Sequence, residues 1–437
     1  MSDANGGQTR GRDPSTIRPT PLPRWWSNQH TLFGVASQVV SSASNFTLGV
    51  VVGRFAGPSD LGAFGTAFVF WVIALVLYTA LVTDPMVLLE SDLGGGDRKS
   101  IQRAARSALT VSLVLAAVYG IVGAIVMAIA SAGTGRAIIA TAAALPILIL
   151  QDFGRRASFA TKRGHVAFAS DVSFVVLQSG VLGVLAWCGV VSATTTIIAW
   201  GVGAAAGLLV GQVGLATRLF AMPSTAALRA YWTSGRSLLS DFLVIIASRH
   251  LYLLAVAALV SRRDFGGFQA AQSLMGPIAI SLQAAGNLAL PRATQAYRDG
   301  GWLSLRRVAR RLTIVVGSAQ WGYCLVIVAL GPWLVQLLYG AKYNDFATVI
   351  RVVALGQAIN CCSLGGITAI KVVGGVRRLW PARTRAALVS VPIALVVASR
   401  FGIEGATWGI VVIASVELVA KVGVYLSVQP DRNVHDR

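Results

Sequence analysis

Long apolar runs follow one another along the chain from residue 30 onward, separated by short polar or basic segments. Each run holds roughly 20 residues, the length that a helix needs to cross the hydrocarbon of a bilayer. The pattern predicts twelve membrane spans, at residues 30–52, 62–82, 107–131, 136–153, 168–187, 193–215, 238–260, 266–290, 312–331, 346–370, 384–399 and 403–427. We therefore expect an all-α polytopic membrane protein.

The second half of the chain repeats the first at an offset of 204 residues. Residues 60–64 read DLGAF and residues 264–268 read DFGGF, while 100–106 read SIQRAAR and 304–310 read SLRRVAR. With six spans in each half, both halves enter the membrane in the same sense. This predicts two six-helix lobes related by a parallel internal repeat. The expected divisions are a disordered cytoplasmic tail 1–29, a first lobe 30–215, a cytoplasmic linker 216–237, a second lobe 238–427 and a cytoplasmic tail 428–437.

The composition fits a membrane protein, with 55% hydrophobic and only 12% charged residues. The net charge of +20 does not indicate a nucleic-acid partner, because most Lys and Arg fall in the two tails and in alternate loops. Such asymmetry places the basic loops in the cytoplasm. We expect a plasma membrane protein with both termini cytoplasmic. The opposite loops and nearby span ends carry only Arg54, Arg136, Arg262, Arg263, Lys342 and Arg400.

Signs of enzymatic chemistry are missing from the sequence. The four cysteines have neither disulfide nor metal-ligand spacing, and no phosphate-binding G-x-x-x-x-G-K-[ST] loop occurs. The predicted outer loops are short, apart from residues 332–345, and leave no room for an extracellular catalytic domain. We expect a protein that is not an enzyme and that carries no cofactor and no metal.

Three sequence elements resemble those of a known transporter family. Residues 53–62 read GRFAGPSDLG, residues 337–340 read LLYG with Tyr343 after them, and residues 402–408 read GIEGATW. In this order they are similar to elements of the polysaccharide and lipid-linked oligosaccharide flippase branch of the multidrug/oligosaccharidyl-lipid/polysaccharide (MOP) exporter superfamily. The resemblance implies two lobes facing each other as a V. It also implies movement of a glycan on a polyprenyl phosphate or pyrophosphate carrier from the inner to the outer leaflet, with membrane lipids and glycan-synthesis enzymes as further partners.

Charged residues predicted to lie within spans are the first candidates for a substrate site, because burying them in a bilayer is costly. Arg249, with His250 beside it, is interpreted either as a cavity arginine that binds a phosphate or as half of a structural ion pair with Asp241 or Glu417. Arg351 either lines the cavity or extends towards the outer surface.

Further candidates lie in the first lobe and the last span. Arg54 either receives phosphate at the outer leaflet or has a packing role, and Asn45 either hydrogen-bonds sugars or bridges helices. Glu417 and Lys421 are one turn apart in the last span, which permits an ion pair. Glu417 is alternatively a coupling site for a proton or cation, and Asp241 shares this group of candidates.

Two other functions remain open at this point. A cation- or proton-coupled drug or metabolite antiporter of the same superfamily usually has an acidic residue in the first lobe, and span one has none. A non-transporting membrane scaffold for cell-envelope glycan synthesis needs no charge within the bilayer. The presence of Arg249 in a predicted span argues against this function.

The basic segment around residues 302–312 predicts an interfacial helix, either in contact with anionic lipid or serving only as an orientation anchor.

Overall fold

The computed structural model describes residues 24–86, 98–220, 222–229, 231–232, 235, 239 and 246–428. These residues form helices and short turns, and no strand occurs among them. The helices of the first lobe are α1 Arg24–Val51, α2 Pro58–Tyr78, α3 Arg98–Ile129, α4 Ala132–Ala160, α5 Gly164–Trp187 and α6 Ala193–Leu215. Those of the second lobe are α7 Tyr252–Leu259, α8 Arg262–Leu274, α9 Gly276–Tyr339, α10 Ala347–Cys361, α11 Leu364–Val372 and α12 Val376–Ser427.

The two longest helices each contain a break that divides them into two spans. In α9 the backbone leaves the helical region at Gly300 and Gly301, and in α12 it does so at Gly402. Short π-helical or 3-10 segments lie at the ends of other helices, at Val52–Ala56, Thr79–Thr83, Ile246–Leu251 and Ala341–Phe346. Within the described part of the chain, nine helical segments are long and apolar enough to cross a membrane, and Arg249–Leu259 is a shorter apolar one. The all-α, two-lobed membrane fold is thus confirmed.

Several helices extend beyond the apolar runs that predict them. The basic segment at 302–311 is continuous with the span that follows it, because residues 302–316 contain neither glycine nor proline. Residues 302–339 therefore form one helix about 57 Å long, which is longer than a bilayer core is thick. In the first lobe, α3 likewise begins at Arg98. The basic segment expected to form a separate interfacial helix is the projecting end of a span.

The first lobe is built around α4, which packs against α2, α3, α5 and α6. In the second lobe α9 packs against α10 and α11, and α12 packs against α7 and α10. The expected linker after residue 215 contacts the first lobe where it is described. The backbone amide of Ser224 donates to Thr110 Oγ1 at 2.8 Å, and Leu219 and Tyr231 are buried.

The two lobes meet where α2 crosses α8. We call this end of the molecule, with the turns at Gly57 and Gly340, the Gly57 end, and the opposite end, with the break in α9, the Gly300 end. A Cβ added at Gly62 would overlap the carbonyl oxygen of Arg262, and one added at Gly266 would overlap that of Pro58. Adding 204 to Gly62 gives Gly266, and subtracting 204 from Arg262 gives Pro58, so the contact is reciprocal. At this crossing the two copies of the sequence repeat are therefore related by a pseudo-two-fold axis.

Candidate functional site

A cavity of about 780 Å³ lies between the lobes, enclosed by α1, α2, α8 and α9. Much of its wall is apolar, including Leu61, Phe64 and Phe68. Its polar lining consists of amides and hydroxyls, from Gln38, Ser42, Asn45, Gln269, Gln272, Ser273, Tyr323 and Tyr339. No acidic or basic side chain of the described residues lines it. The chemistry of the wall therefore suits a neutral, hydroxyl-rich group with apolar parts.

An interruption between α8 and α9 forms part of this wall. The helix ends at Leu274 and restarts at Gly276, with Pro277 in its first turn. The Tyr323 hydroxyl donates to the carbonyl oxygen of Leu274 at 2.6 Å and so satisfies an acceptor near the interruption. Non-helical backbone within a membrane is tolerated where it lines a cavity, and broken helices often mark transporter binding sites.

Three carboxamides of the cavity wall have no hydrogen-bond partner among the described residues. They belong to Asn45 on α1 and to Gln269 and Gln272 on α8, and we call them the amide cradle. Gly65 makes room for one of them, because a Cβ there would overlap the Gln269 amide nitrogen. A carboxamide offers both donors and an acceptor. The amide cradle therefore places unused donors and acceptors from both lobes around one space.

The cavity is closed at the Gly57 end by contacts between the lobes. The Arg54 guanidinium donates to the Leu337 carbonyl oxygen at 2.7 Å and to that of Leu338 at 3.4 Å. The Tyr343 hydroxyl donates to the Gly53 carbonyl oxygen at 3.3 Å. Close by, Arg262 donates to Ser131 Oγ at 3.0 Å. Arg54 thus joins α1 to α9 at the closed end instead of lining the cavity.

Arg249 and His250 lie in the π-helical segment Ile246–Leu251. Such wide turns are frequent at functional sites. Arg249 is exposed, His250 is partly exposed, and neither lines the cavity. The helix that follows is fixed by Tyr252, whose hydroxyl donates to the Ala406 carbonyl oxygen at 2.5 Å. At the repeat offset of 204, Arg249 is the counterpart of Asn45.

The Glu417–Lys421 pair forms within α12, with Nζ 2.8 Å from Oε2. Lys421 is buried, and Arg249 and Arg383 both lie within electrostatic reach of it. Lys421, which pairs with Glu417, therefore has two further cations within electrostatic reach. Arg351 is exposed and forms no ion pair with the described residues. Asp241, the other proposed partner of Arg249, lies outside the described residues.

A buried charged network in the first lobe has no counterpart in the sequence predictions. Asp152 accepts from Arg155 at 2.6 Å, from Arg156 at 2.7 Å and from the Tyr78 hydroxyl at 3.0 Å. The side chain of Asp152 is only 8% exposed. The spacing of 152, 155 and 156 is that of an ion pair on one helix face. The predicted end of span four at residue 153 hides it, because both arginines then fall in a loop.

Asp171 forms a second buried group in this lobe. It accepts a hydrogen bond from the Ser37 hydroxyl, and its other oxygen accepts from Gln151 at 3.2 Å. The three residues lie on α5, α1 and α4, so the carboxylate connects three helices. Although the first span contains no acidic residue, the first lobe thus contains two buried carboxylates, those of Asp152 and Asp171.

The carboxylate of Asp60 bonds to another helix, not to its own. Asp60 lies in the first turn of α2, yet its carboxylate accepts from the Ala193 amide at 3.1 Å, at the start of α6. Its repeat counterpart Asp264 accepts from the Ser261 hydroxyl at 2.7 Å, within its own first turn. Neither is placed to contact the cavity, since neither lines it.

No protein-family model matches the chain, and no curated protein matches it. Solved structures do. An inward-facing multidrug resistance MATE family transporter of the MOP superfamily has 16% identity and a TM-score of 0.65, covering 91% of this chain and 93% of its own. The lipid II flippase MurJ, in an inward closed conformation, has 11% identity and a TM-score of 0.69, with 91% and 90% covered.

A third similar structure is a MOP superfamily transporter from Pyrococcus furiosus, described as having a binding pocket of reversed polarity. It has 13% identity and a TM-score of 0.58, covering 91% of this chain and 93% of its own. All three likenesses run over nearly the whole chain and include both lobes. The chain therefore has the two-lobed fold of MOP superfamily transporters.

Proposed function

We propose that this protein is a flippase that moves a lipid-linked oligosaccharide or polysaccharide precursor from the inner to the outer leaflet by alternating access. The observation that carries the proposal is the amide cradle, in a cavity without charged side chains among the described residues. Carboxamides match sugar hydroxyls, which both donate and accept. The apolar part of the wall suits the faces of sugar rings.

The carrier's phosphate would be attracted by the cations of the second lobe. Arg249 and Arg383 each lie within electrostatic reach of Lys421, which pairs with Glu417 on α12. Guanidinium groups bind phosphate oxygens through paired hydrogen bonds. The polyprenyl tail would remain in lipid, while the glycan occupies the cavity between the lobes.

The orientation follows from the distribution of positive charge, with the Gly57 end outside and both termini in the cytoplasm of a plasma membrane protein. The closed Gly57 end then corresponds to a state that receives cargo from the inner leaflet. Moving negative charge outward across an inside-negative membrane releases about 2.3 kcal/mol per charge per 100 mV. A doubly charged carrier therefore gains several kcal/mol at ordinary potentials, without ATP.

Depletion of the protein from its native cells tests the proposal. We expect glycan-bearing polyprenyl phosphates or pyrophosphates to accumulate in lipid extracts, measured by mass spectrometry. Wild-type protein should restore the normal level, whereas the double variant Gln269→Leu/Gln272→Leu at equal abundance should not. The matched control is Gln295→Leu, outside the cavity, whose amide bonds Asp299 on its own helix. Normal carrier lipids after depletion would contradict the proposal.

An antiporter coupled to a proton or cation is the second candidate, and Asp171 favours it. This buried carboxylate has hydroxyl and amide partners and no ion pair with the described residues. The two candidates separate in proteoliposomes given an imposed pH or sodium gradient. An antiporter loses gradient-driven efflux of cationic dyes on Asp171→Asn, whereas a flippase driven by membrane potential transports no such dye in either form.

A further inference from the structure

The projecting start of the 302–339 helix carries a basic face that the proposed function does not use. Arg307, Arg310 and Arg311 border a surface cavity of about 480 Å³, together with Val308, Ile314 and Val315. All three arginines are exposed, and none takes part in an ion pair of the described residues. Positions 307, 310, 311 and 314 share one helix face.

The opposite face of the same helix holds this surface in place. Leu305 and Ala309 are buried against Ala293 and Ala369. Gly365 of α11 packs so closely that a Cβ there would overlap the Ala309 carbonyl oxygen. The three guanidinium groups therefore stand on a fixed part of the second lobe. Among the described residues only one of them forms a side-chain hydrogen bond, from Arg307 Nη2 to Ser304 Oγ at 3.2 Å.

Exposed apolar side chains follow the arginines by one turn, in the direction of the bilayer. Ile314 and Val315 are each 58% exposed. A ligand for this face thus needs a negative head at the arginines and an apolar chain beside the next turn. In a membrane-spanning helix this is the position of a phospholipid in the adjacent leaflet.

The equivalent face of the first lobe lacks these features. Subtracting 204 from Arg307, Arg310 and Arg311 gives Arg103, Arg106 and Ser107, so one cation is missing. The counterparts of Ile314 and Val315 are Thr110 and Val111, and both are buried. A general orientation signal would be satisfied by either lobe. In the first lobe, however, the exposed apolar residues Leu113 and Val114 follow Arg106 only after two turns, whereas Ile314 and Val315 lie one turn beyond Arg311.

We propose that Arg307, Arg310 and Arg311, with Ile314 and Val315, form a binding site for an anionic glycerophospholipid of the leaflet at the Gly300 end. The phosphate lies among the three guanidinium groups, and an acyl chain lies along the two apolar residues. Each arginine near an anionic lipid surface contributes about fivefold in affinity. The site is separate from the cavity between the lobes and does not depend on which cargo that cavity carries.

The test uses full-length protein in nanodiscs that contain equal amounts of phosphatidylglycerol and phosphatidylcholine, with bound lipids counted by native mass spectrometry. We expect retained phosphatidylglycerol with wild type and a loss of roughly a hundredfold in affinity with Arg307→Gln/Arg310→Gln/Arg311→Gln. The control Arg98→Gln/Arg103→Gln/Arg106→Gln removes the same charge from the first lobe and should retain the lipid.

Equal loss in both triple variants, or loss in neither, would overturn the proposal. Displacement of phosphatidylglycerol by millimolar inorganic pyrophosphate would also overturn it, because a soluble phosphate would then be the preferred ligand. A thermal unfolding curve for each variant separates loss of the site from loss of the fold. Since all the substituted side chains are exposed, we expect these curves to coincide with wild type.

Discussion

The two lobes share a sequence repeat but use their charged residues differently. In the first lobe Asp152 binds Arg155, Arg156 and Tyr78, which joins α4 to α2. Asp171 joins α5 to α1 and α4. In the second lobe the buried pair is Glu417 with Lys421, and both residues lie on α12.

This difference indicates that the charges of the first lobe fix helices relative to one another, whereas those of the second lobe attract an anion. Asp152 accepts from Tyr78 of another helix, and Asp171 accepts from Ser37 and Gln151 of two others, so these carboxylates fix helices relative to one another. A pair confined to one helix leaves the neighbouring helices free. The second lobe also keeps Arg249 exposed, and Arg249 and Arg383 both lie within electrostatic reach of Lys421. We infer that the first lobe moves as a rigid unit and that the second provides the positive potential that attracts an anionic carrier.

The largest expected effect comes from breaking the network of the first lobe. Asp152→Ala leaves two partly buried arginines without their shared carboxylate, and loss of a buried partner costs about 3–5 kcal/mol. Thermal unfolding in detergent should show a much lower midpoint. The control is Asp345→Ala, whose pair with Arg263 is exposed and is worth at most about 1 kcal/mol. Equal shifts for the two variants would contradict the rigid first lobe.

The next effect concerns the crossing that joins the lobes. Gly62→Ala places a Cβ against backbone, which has no flexible end to move away, so the closed Gly57 end should lose about 1–3 kcal/mol. A Cys introduced at Ser42, in a chain without its four native cysteines, should react faster with an impermeant maleimide added from the Gly57 side. Gly120→Ala is the control, because its Cβ would meet nothing within 4 Å. An unchanged rate with Gly62→Ala would exclude the crossing as the closure.

A smaller effect is expected for the ion pair of the second lobe. Glu417→Gln keeps an amide oxygen that can accept from Lys421 Nζ and removes only the negative charge, which costs about 1.5 kcal/mol, and this bond joins no two helices. The unfolding midpoint should fall less than with Asp152→Ala. If it fell by as much, the two lobes would not differ in the way their charges are used.

The smallest effect is expected for Arg54. Arg54→Gln removes an exposed contact to the Leu337 carbonyl oxygen, worth about 1 kcal/mol, so the Gly57 end should open about fivefold more often. Hydrogen exchange of the peptide around residues 335–341 measures this. Arg136→Gln is the matched control, since the one hydrogen bond of its side chain to a described residue is to the Ala132 carbonyl of its own helix. Equal exchange in both variants would remove Arg54 from the closure.

The sequence predicts the architecture because its signals are long and redundant. Apolar runs predict the spans, and the equivalence of residues 60–64 with 264–268 predicts two similar lobes. The direct contact between Gly62 and Gly266 could not be predicted, because the repeat shows that two positions are equivalent and not that they meet. Asn45 lines the cavity, whereas Arg249 does not and lies in a π-helical segment that no composition signal marks.

The polar chemistry of the site is predicted less well, for a physical reason. A charged residue within an apolar span is easily recognised in a sequence, so Arg249, Arg351 and Glu417 can each be predicted as site candidates one residue at a time. The amide cradle consists of neutral side chains from α1 and α8, whose meaning depends on two lobes coming together. Asp152 is hidden at a predicted span end, where arginines are ordinarily interpreted as cytoplasmic anchors.

The most direct test of the account is transbilayer movement of cargo by the purified protein. Proteoliposomes would carry, in one leaflet, the polyprenyl-linked glycan that accumulates in depleted cells, and an impermeant glycosidase would report its arrival in the other. We predict a protein-dependent rate that falls at least tenfold with Gln269→Leu/Gln272→Leu and is unchanged with Gln295→Leu. A rate equal to that of protein-free liposomes, or one that the cradle variant leaves unchanged, would contradict the account.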